Sequence, residues 1–424
     1  MSHELPPDDG FDIAVIGGGA AGAMAAIRAA ELGKKVALFE RNDSIGRKIL
    51  ITGRGRCNIT NSAPIETFIK KFGENGKFLR TAFYKFFNTD LIEFFRSCGL
   101  DVKVERQGRV FPVTDKARSV VEALVKRLID LDVKVIYNSR LTSIKTDADR
   151  FMLEIGGQIV MTAKRVIIAT GGASYKATGS SGDGFNFAEK IGHKIAKLKP
   201  GLVPLTTKEE WVKDLQGLAL ENIRIRFECG KKKIESEIGE LMFTHFGISG
   251  PLVLDLSGEV IEMLGIDKTV IVRIDLKPGL TSEQLESRLL REFKSSGKAQ
   301  FKNMMKGYLP QRLIDVFMKL AGIDPERMAN HITLKERRDV IKLFKGLPLT
   351  IKGSLAIEEA MVTGGGVSMD EINPRTMESR VVPGLYFAGE IIEGCASSGG
   401  YNLQQAFSTG YLAGESAANE IAPQ

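Results

Sequence analysis

The six residues Gly17-Gly18-Gly19-Ala20-Ala21-Gly22 form a G-x-G-x-x-G turn between an apolar run, 11–16, and an Ala-rich run, 20–32. That context predicts strand, tight turn and helix, and the chemistry it serves is phosphate binding. Gly17 permits the turn, Gly19 lets a pyrophosphate approach the backbone, and Gly22 lets helix and strand pack closely. Backbone amides at the start of the helix, at Ala20 and Ala21, are free to face phosphate oxygens. A second strand, 36–39, ends at Glu40, 18 residues beyond Gly22, where a carboxylate accepts hydrogen bonds from ribose hydroxyls. Arg41 follows and joins the candidate set. This fingerprint serves FAD and NAD alike.

Three further segments favour FAD. Arg47-Lys48 and the loop 52–61, with Gly53, Arg54, Arg56, Cys57, Asn58 and Asn61, follow soon after Glu40. Their cations suit phosphates or an anionic substrate, and the asparagines add directional hydrogen bonds. A buried strand over 166–169 stops at Thr170-Gly171-Gly172, a turn where the chain can pass a cofactor. Near the C-terminus, 385–388 reads as another buried strand, followed by Gly389-Glu390, whose carboxylate suits the hydroxyls of a ribityl chain. NAD has no ribityl chain. Gly399-Gly400-Tyr401-Asn402 then opens the last helix, whose positive end suits the N1 and O2 edge of a flavin. Bound FAD is expected to be non-covalent. A second complete G-x-G-x-x-G is absent, so NAD(P)H is expected to visit the cleft and leave rather than occupy its own domain.

Two side chains are candidate proton donors: His245, in a Gly-rich stretch, and Tyr401. His193 and His331 lie in Lys-rich helical surroundings and read as structural. Cys395 could be a redox thiol or substrate contact, and Cys57 a flavin anchor; a buried inert thiol is the expectation for both. The Phe residues between 83 and 95 read as core. The four cysteines contain no C-x-x-C pair, so no metal site is expected.

The elements that must position these groups form an α/β fold. Beyond the first βαβ unit, helices are expected over 77–98 and 117–131, and strands over 102–104, 109–111, 133–137, 141–146 and 151–155. Short alternating strands dominate from about 197 to 276, for example 223–227 and 270–274. A Lys/Arg-rich helical stretch follows to about 347, then a strand over 349–351 and a last helix over 402–421. The expected architecture is a Rossmann-like dinucleotide-binding domain from both chain ends, 1–196 and 355–424. Inserted in it are a β part, 197–278 with 345–354, which the family resemblance given below implies to be a β-barrel-like domain, and a small helical domain, 279–344.

The chain has 424 residues, 43% hydrophobic and 26% charged, enough for two or three cores. Its net charge of +7 is spread along the chain without a dense basic stripe. A small-molecule substrate is therefore expected and nucleic acid is not. No leader and no apolar run of roughly 18 residues is visible, so a cytoplasmic protein without membrane spans is expected. Oligomeric state is not legible.

Taken together, the motifs resemble a family of bacterial NAD(P)/FAD-dependent oxidoreductases that includes aminoacetone oxidase-type enzymes and a bile-acid reductase. The resemblance rests on 16–22, Gly46-Arg47-Lys48, the 52–61 loop, 108–112, 169–172, 239–245 with 249–251, 362–367, 376–379, 384–390 and 399–402. It implies FAD in the N-terminal fold and barrel and helical insertions. The chain departs from the family after Glu390, where Ile391-Ile392-Glu393-Gly394-Cys395 replaces an Asp-x-Asp-Gly stretch. The resemblance leaves the chemistry open: reduction of an enone-like substrate by NAD(P)H, oxidation of a small amine or ketone by oxygen, modification of RNA, or flavin binding without turnover.

Overall fold

The computed structural model describes residues 10–147, 150–155, 159–266, 269–296 and 299–419. Residues 1–201 with 357–424 form one compact unit, and 202–356 form a second.

In the first unit, the strand Phe11–Ile16 (β1) leads through the Gly turn into the helix Ala20–Glu31 (α1) and then the strand Val36–Phe39 (β2). Gly33 ends the helix with φ +76, a conformation favouring glycine. β1 pairs in parallel with β2 on one side and with the strand Ile159–Ile168 on the other. Beyond β2 lies Lys134–Ile136, and Leu385–Phe387 pairs in parallel with the end of Ile159–Ile168. The register decides the geometry of the site. Ile16 lies opposite both Phe39 and Ile168, and Ile168 lies opposite Phe387. The C-terminal ends of four parallel strands are therefore level, and Gly17, Glu40, Ala169 and Ala388 leave the sheet along one edge. In open parallel sheets this is the edge where ligands bind.

The strand Ile159–Ile168 begins earlier than its apolar end suggests. Its first half pairs antiparallel with Arg150–Ile155, which pairs with Leu141–Asp147. That half alternates buried Met161 and Ala163 with exposed Lys164, whereas Val166 to Ile168 are buried on both faces. Only the doubly buried half reads as a continuous apolar run.

The C-terminal helix Tyr401–Ala418 lies against α1 at backbone distance. A Cβ on Gly410 would sit 2.3 Å from the Ala21 carbonyl oxygen, and one on Gly414 2.3 Å from that of Ala25. Arg28 on α1 reaches Glu415 at 2.6 Å and lies 4.6 Å from the Tyr411 ring centre, closing the far end of the crossing. Phe83, Phe86 and Phe95 are buried, as read from the sequence.

In the second unit, Ala219–Cys229, Gly239–Phe243, Gly247–Ser249, Leu205–Thr207, Leu347–Ser354 and Val270–Asp275 pair in that order, and the last pairs back with the first. This is a closed six-stranded antiparallel barrel, with Lys232–Glu235 added as a hairpin on Ala219–Cys229. The helices Ser282–Ser296, Gln311–Ala321 and Leu334–Gly346 share one core with it: Phe227, Val272 and Leu349 are buried in the same cluster as Leu285, Phe317 and Phe344. The helical segment is therefore part of the second unit rather than a separate domain. The first unit also extends past residue 196 to 201, because Ile195–Gly201 pairs with Val362–Val367. A further helix, Pro251–Ile266, lies where strands were expected. Its apolar, β-branched opening hides a helix start that Pro251 at the first position marks.

Gly414→Ala is expected to destabilise the protein by about 1–3 kcal/mol, because the added methyl meets backbone that cannot move aside. Gly258→Ala, on a helix where the Cβ meets nothing within 4 Å, is expected to stabilise its unit by roughly 0.5–1 kcal/mol. Thermal unfolding of the two variants beside the parent checks both signs.

Candidate functional site

The dinucleotide turn is built by contrast among its glycines. A Cβ on Gly22 would lie 1.8 Å from the Gly17 carbonyl oxygen, and Gly17 itself, at φ +104, abuts the Ala169 carbonyl. At Gly19 a Cβ would meet nothing within 4 Å. The turn is thus tightly packed behind and open in front of the helix start, which has no side-chain cap on its amides. Space for a bulky anion lies where the helix end is positive.

Glu40 is buried at the end of β2. Its Oε2 accepts the Gly18 amide at 2.8 Å, and its Oε1 accepts the Asn42 amide at 2.9 Å and the Asn42 side chain at 2.7 Å. These bonds fix the carboxylate beside the turn, and Oε2 keeps a lone pair for a sugar hydroxyl. Among the described residues, Thr170 Oγ1, Asn58 Oδ1 and Ser397 Oγ are buried oxygens on this unit without a hydrogen-bond partner. Buried polar atoms are seldom left so, and the first two lie in segments read from the sequence as lining the cofactor. The chain's own residues thus fit a dinucleotide at the turn.

Arginines of this region have partners within the chain. Arg41 bonds Ser181 Oγ at 2.5 Å and Asp183 at 3.1 Å. Burial opposes ionisation of Asp183, but Arg140, Ser181 and Arg41 outweigh it and hold its carboxyl below the usual range. Arg47 pairs with Asp43 at 2.7 Å. Arg56 lies 2.5 Å from Glu105 and 2.6 Å from Asp115, with its guanidinium 4.1 Å from the Phe111 ring centre. Arg41, Arg47 and Arg56 are thus paired with the chain's own acids. Gly53 and Arg54 take left-handed turns before Cys57, itself at φ +63.

Lys48 enters a tighter arrangement. Its Nζ lies 2.6 Å from Glu390 Oε2 and 2.8 Å from Ser174 Oγ. Glu390 Oε1 accepts the Thr363 amide at 2.8 Å and the Ser174 hydroxyl at 3.1 Å. Gly172 must be glycine here, since a Cβ would lie 2.3 Å from Thr363 Oγ1. Four chain segments are thereby tied at the C-terminal edge of the sheet. Glu390 is mainly a tether, with one acceptor position left on Oε2. Ser174 and Thr363 were not read from the sequence, because only the fold brings them to residue 390.

The second helix start is held with equal care. Gly399 and Gly400 have φ +117 and +98, and a Cβ on Gly400 would lie 2.4 Å from the Thr60 carbonyl oxygen. Asn61 Nδ2 donates to the Gly399 carbonyl at 3.0 Å. Asn402 accepts the Ala396 amide at 2.8 Å and donates to the Ala396 carbonyl at 3.0 Å, stapling the preceding loop rather than facing outward. Within the helix, Gln404 accepts the Thr60 hydroxyl, Gln405 donates to the Gly389 carbonyl, and Thr409 accepts the Gly389 amide. The signal for these was polar residues at helical spacing in an otherwise apolar helix. The Tyr401 ring is buried edge-on against Phe68 at 4.7 Å, in a cluster with Phe72 and Phe83. Its ring is a packing group there.

His245 lies in the second unit, exposed at the tip of the hairpin between Gly239–Phe243 and Gly247–Ser249. His193 is buried, with Nε2 2.7 Å from Ser379 Oγ, and burial pushes its pKa down. Burial, reinforced by the Glu390 charge, pushes the Cys395 thiol up to about 11, and burial pushes Cys57 up to about 12. Both are thiols, not thiolates, near neutral pH. Among the described residues there is no cluster able to hold a metal ion and no helix long and apolar enough to cross a membrane.

Residues 11–416 match the HI0933-like protein Rossmann domain. The chain belongs to the HI0933-like family. It is an FAD-dependent oxidoreductase. Over 408 residues the chain is 35% identical to a 3-dehydro-bile acid delta(4,6)-reductase of Clostridium scindens, covering 96% of this chain and 98% of that one. It is 31% identical to a ribosomal RNA dihydrouridine synthase of Escherichia coli, covering 95% and 96%. The fold is also that of a 3-ketosteroid delta1-dehydrogenase from Sterolibacterium denitrificans, with TM-score 0.53 at 13% identity over 97% of this chain and 99% of that one.

Glu40→Ala is expected to weaken FAD retention tenfold or more, since it removes an ionised acceptor and loosens the turn; FAD released on dilution measures it. Cys395 should alkylate about a hundredfold more slowly than a free cysteine at pH 8, because only its thiolate reacts. The rate should keep rising towards pH 11. Peptide mass spectrometry at several pH values checks this, and fast labelling at pH 8 would contradict the raised thiol pKa.

Proposed function

We propose that the protein reduces a carbon–carbon double bond conjugated to a carbonyl, using NAD(P)H as the source of electrons and FAD as the carrier. The observation that carries this reading is chemical agreement between the two full-length relatives. A 3-dehydro-bile acid with delta(4,6) unsaturation is an extended enone. The uracil ring that becomes dihydrouridine has its 5,6 double bond conjugated to the C4 carbonyl. In either case the overall reaction adds hydride to the β-carbon and a proton to the α-carbon, and NAD(P)H is oxidised to NAD(P)+.

Bound FAD supplies hydride transfer. The chain's residues do the rest. Gly19, Ala20 and Ala21 offer an open, uncapped helix start for the pyrophosphate, and Glu40 offers an acceptor for ribose. Thr170 and Asn58 offer unused buried acceptors. The Lys48–Glu390 pair with Ser174 and Thr363 holds the edge of the site rigid, and the Gly399–Gly400 turn presents the second helix start. His245 is retained as the proposed proton donor on the chemistry of its imidazole.

For the substrate, a small enone-like molecule is the first reading, supported by the 35% identical relative. A uracil base in RNA is the second. It is favoured by the two ribosomal RNA dihydrouridine synthases and by residues 281–345, where 14 Lys and Arg face 8 Asp and Glu. A net positive segment suits a phosphate backbone.

Anaerobic titration of the FAD-loaded protein with NADH and NADPH tests the electron source. One of them is expected to bleach the flavin band near about 450 nm. A 3-oxo-4,6-diene steroid, or RNA lacking dihydrouridine, should then restore the colour and gain two hydrogens by mass spectrometry. Reoxidation by oxygen alone, with neither substrate accelerating it, would replace this reading with an oxidase.

A further inference from the structure

The second unit contains a cavity of about 310 Å³ unconnected with the dinucleotide turn's chemistry. It opens where the barrel strand Ala219–Cys229 and the end of Val270–Asp275 meet the start of the helix Gln311–Ala321. Leu220, Ile223, Leu276, Leu309 and Leu313 give it apolar walls. Ligand sites of this type combine apolar walls with a few placed polar groups.

Three features of the cavity favour a negative charge. The Lys277 side chain lines it, half-buried. Burial first, and Arg288 second, push the Lys277 pKa down, so its ammonium is held at a cost that an anion would relieve. Tyr308 is 5% exposed. Burial, followed by hydrogen bonding to Glu292, keeps its hydroxyl protonated and therefore a donor. Pro310 caps the 11-residue helix Gln311–Ala321, so the cavity also touches a helix start without a side-chain cap. Against these stand Glu221, exposed on the same wall, and Glu292 beside the Tyr308 hydroxyl. Their charges offset part of the field and disfavour a doubly charged ligand.

We infer that this cavity is a binding site for a small monocarboxylate with an apolar body, its carboxylate at Lys277 and Tyr308 and its body against the leucines. At about 30 Å³ per water-sized group, the space suits roughly ten non-hydrogen atoms. The site does not depend on the proposed redox reaction.

Octanoate, with its eight carbons and two oxygens, is the probe. Calorimetric titration of the FAD-loaded protein, with octanoate well below its micellar range, is expected to show one site per chain. Octanol should bind tenfold or more weakly, because the interaction with a charged group is lost. Lys277→Met should cost at least tenfold and Tyr308→Phe about threefold to tenfold, with thermal unfolding confirming that both variants are folded. Leu313→Trp fills the cavity from the apolar side and should abolish binding without touching the polar groups. Absence of octanoate binding, equal binding of octanol, or binding unchanged in both Lys277→Met and Leu313→Trp would overturn the site.

Discussion

Backbone contact between the helices Ala20–Glu31 and Tyr401–Ala418 is the constraint on which the first unit depends. These helices come from opposite ends of the chain. They can meet at carbonyl distance only because Gly410 and Gly414 present no side chain to Ala21 and Ala25. The contact fixes the start of each helix, and each starts at a glycine turn with no side-chain cap on its amides. A helix end without a cap in water would be a small loss of stability. At the edge of a parallel sheet it is a prepared anion site. Replacing either glycine would push the helices apart and separate the two turns.

Around that crossing, polar groups are used as ties rather than as free ligands. Asn61, Asn402, Gln404, Gln405 and Thr409 all bond backbone, and Lys48 with Glu390 ties four segments at the sheet edge. Buried polar groups with satisfied partners specify one arrangement, because any alternative leaves them unpaired. The exceptions among the described residues of this unit include Thr170 Oγ1 and Asn58 Oδ1, in segments read from the sequence as lining the cofactor, with Ser397 Oγ, His193 Nδ1 and Arg28 Nε elsewhere.

Much of this was legible in the sequence where a residue acts through its own backbone. Gly17, Gly19 and Gly22 carry their roles in their type and spacing, and Glu40 carries its role in its distance from the turn. The α/β class and an insertion with a β part followed from apolar periodicity, and its barrel form from the family resemblance. What was not legible depends on partners far along the chain. The pairing of Arg41 with Asp183, of Arg47 with Asp43 and of Arg56 with Glu105 and Asp115 is set by the fold. So is the packing of the Tyr401 ring with Phe68 and Phe83. The helix Pro251–Ile266 was missed because its apolar opening, Leu252 to Leu254, has no period that separates a buried helix from a strand.

The central claim is that FAD lies across the edge defined by the Gly17–Gly22 turn and the Gly399–Gly400 turn, with its pyrophosphate at the first helix start. A crystal structure of the FAD-loaded protein tests it most directly. The account predicts phosphate oxygens within hydrogen-bond distance of the Gly19 to Ala21 amides and a ribose hydroxyl on Glu40. It also predicts that Thr170 or Asn58 gains a partner from the cofactor. A pyrophosphate bound elsewhere, with the open space before Gly19 holding only water, would contradict it.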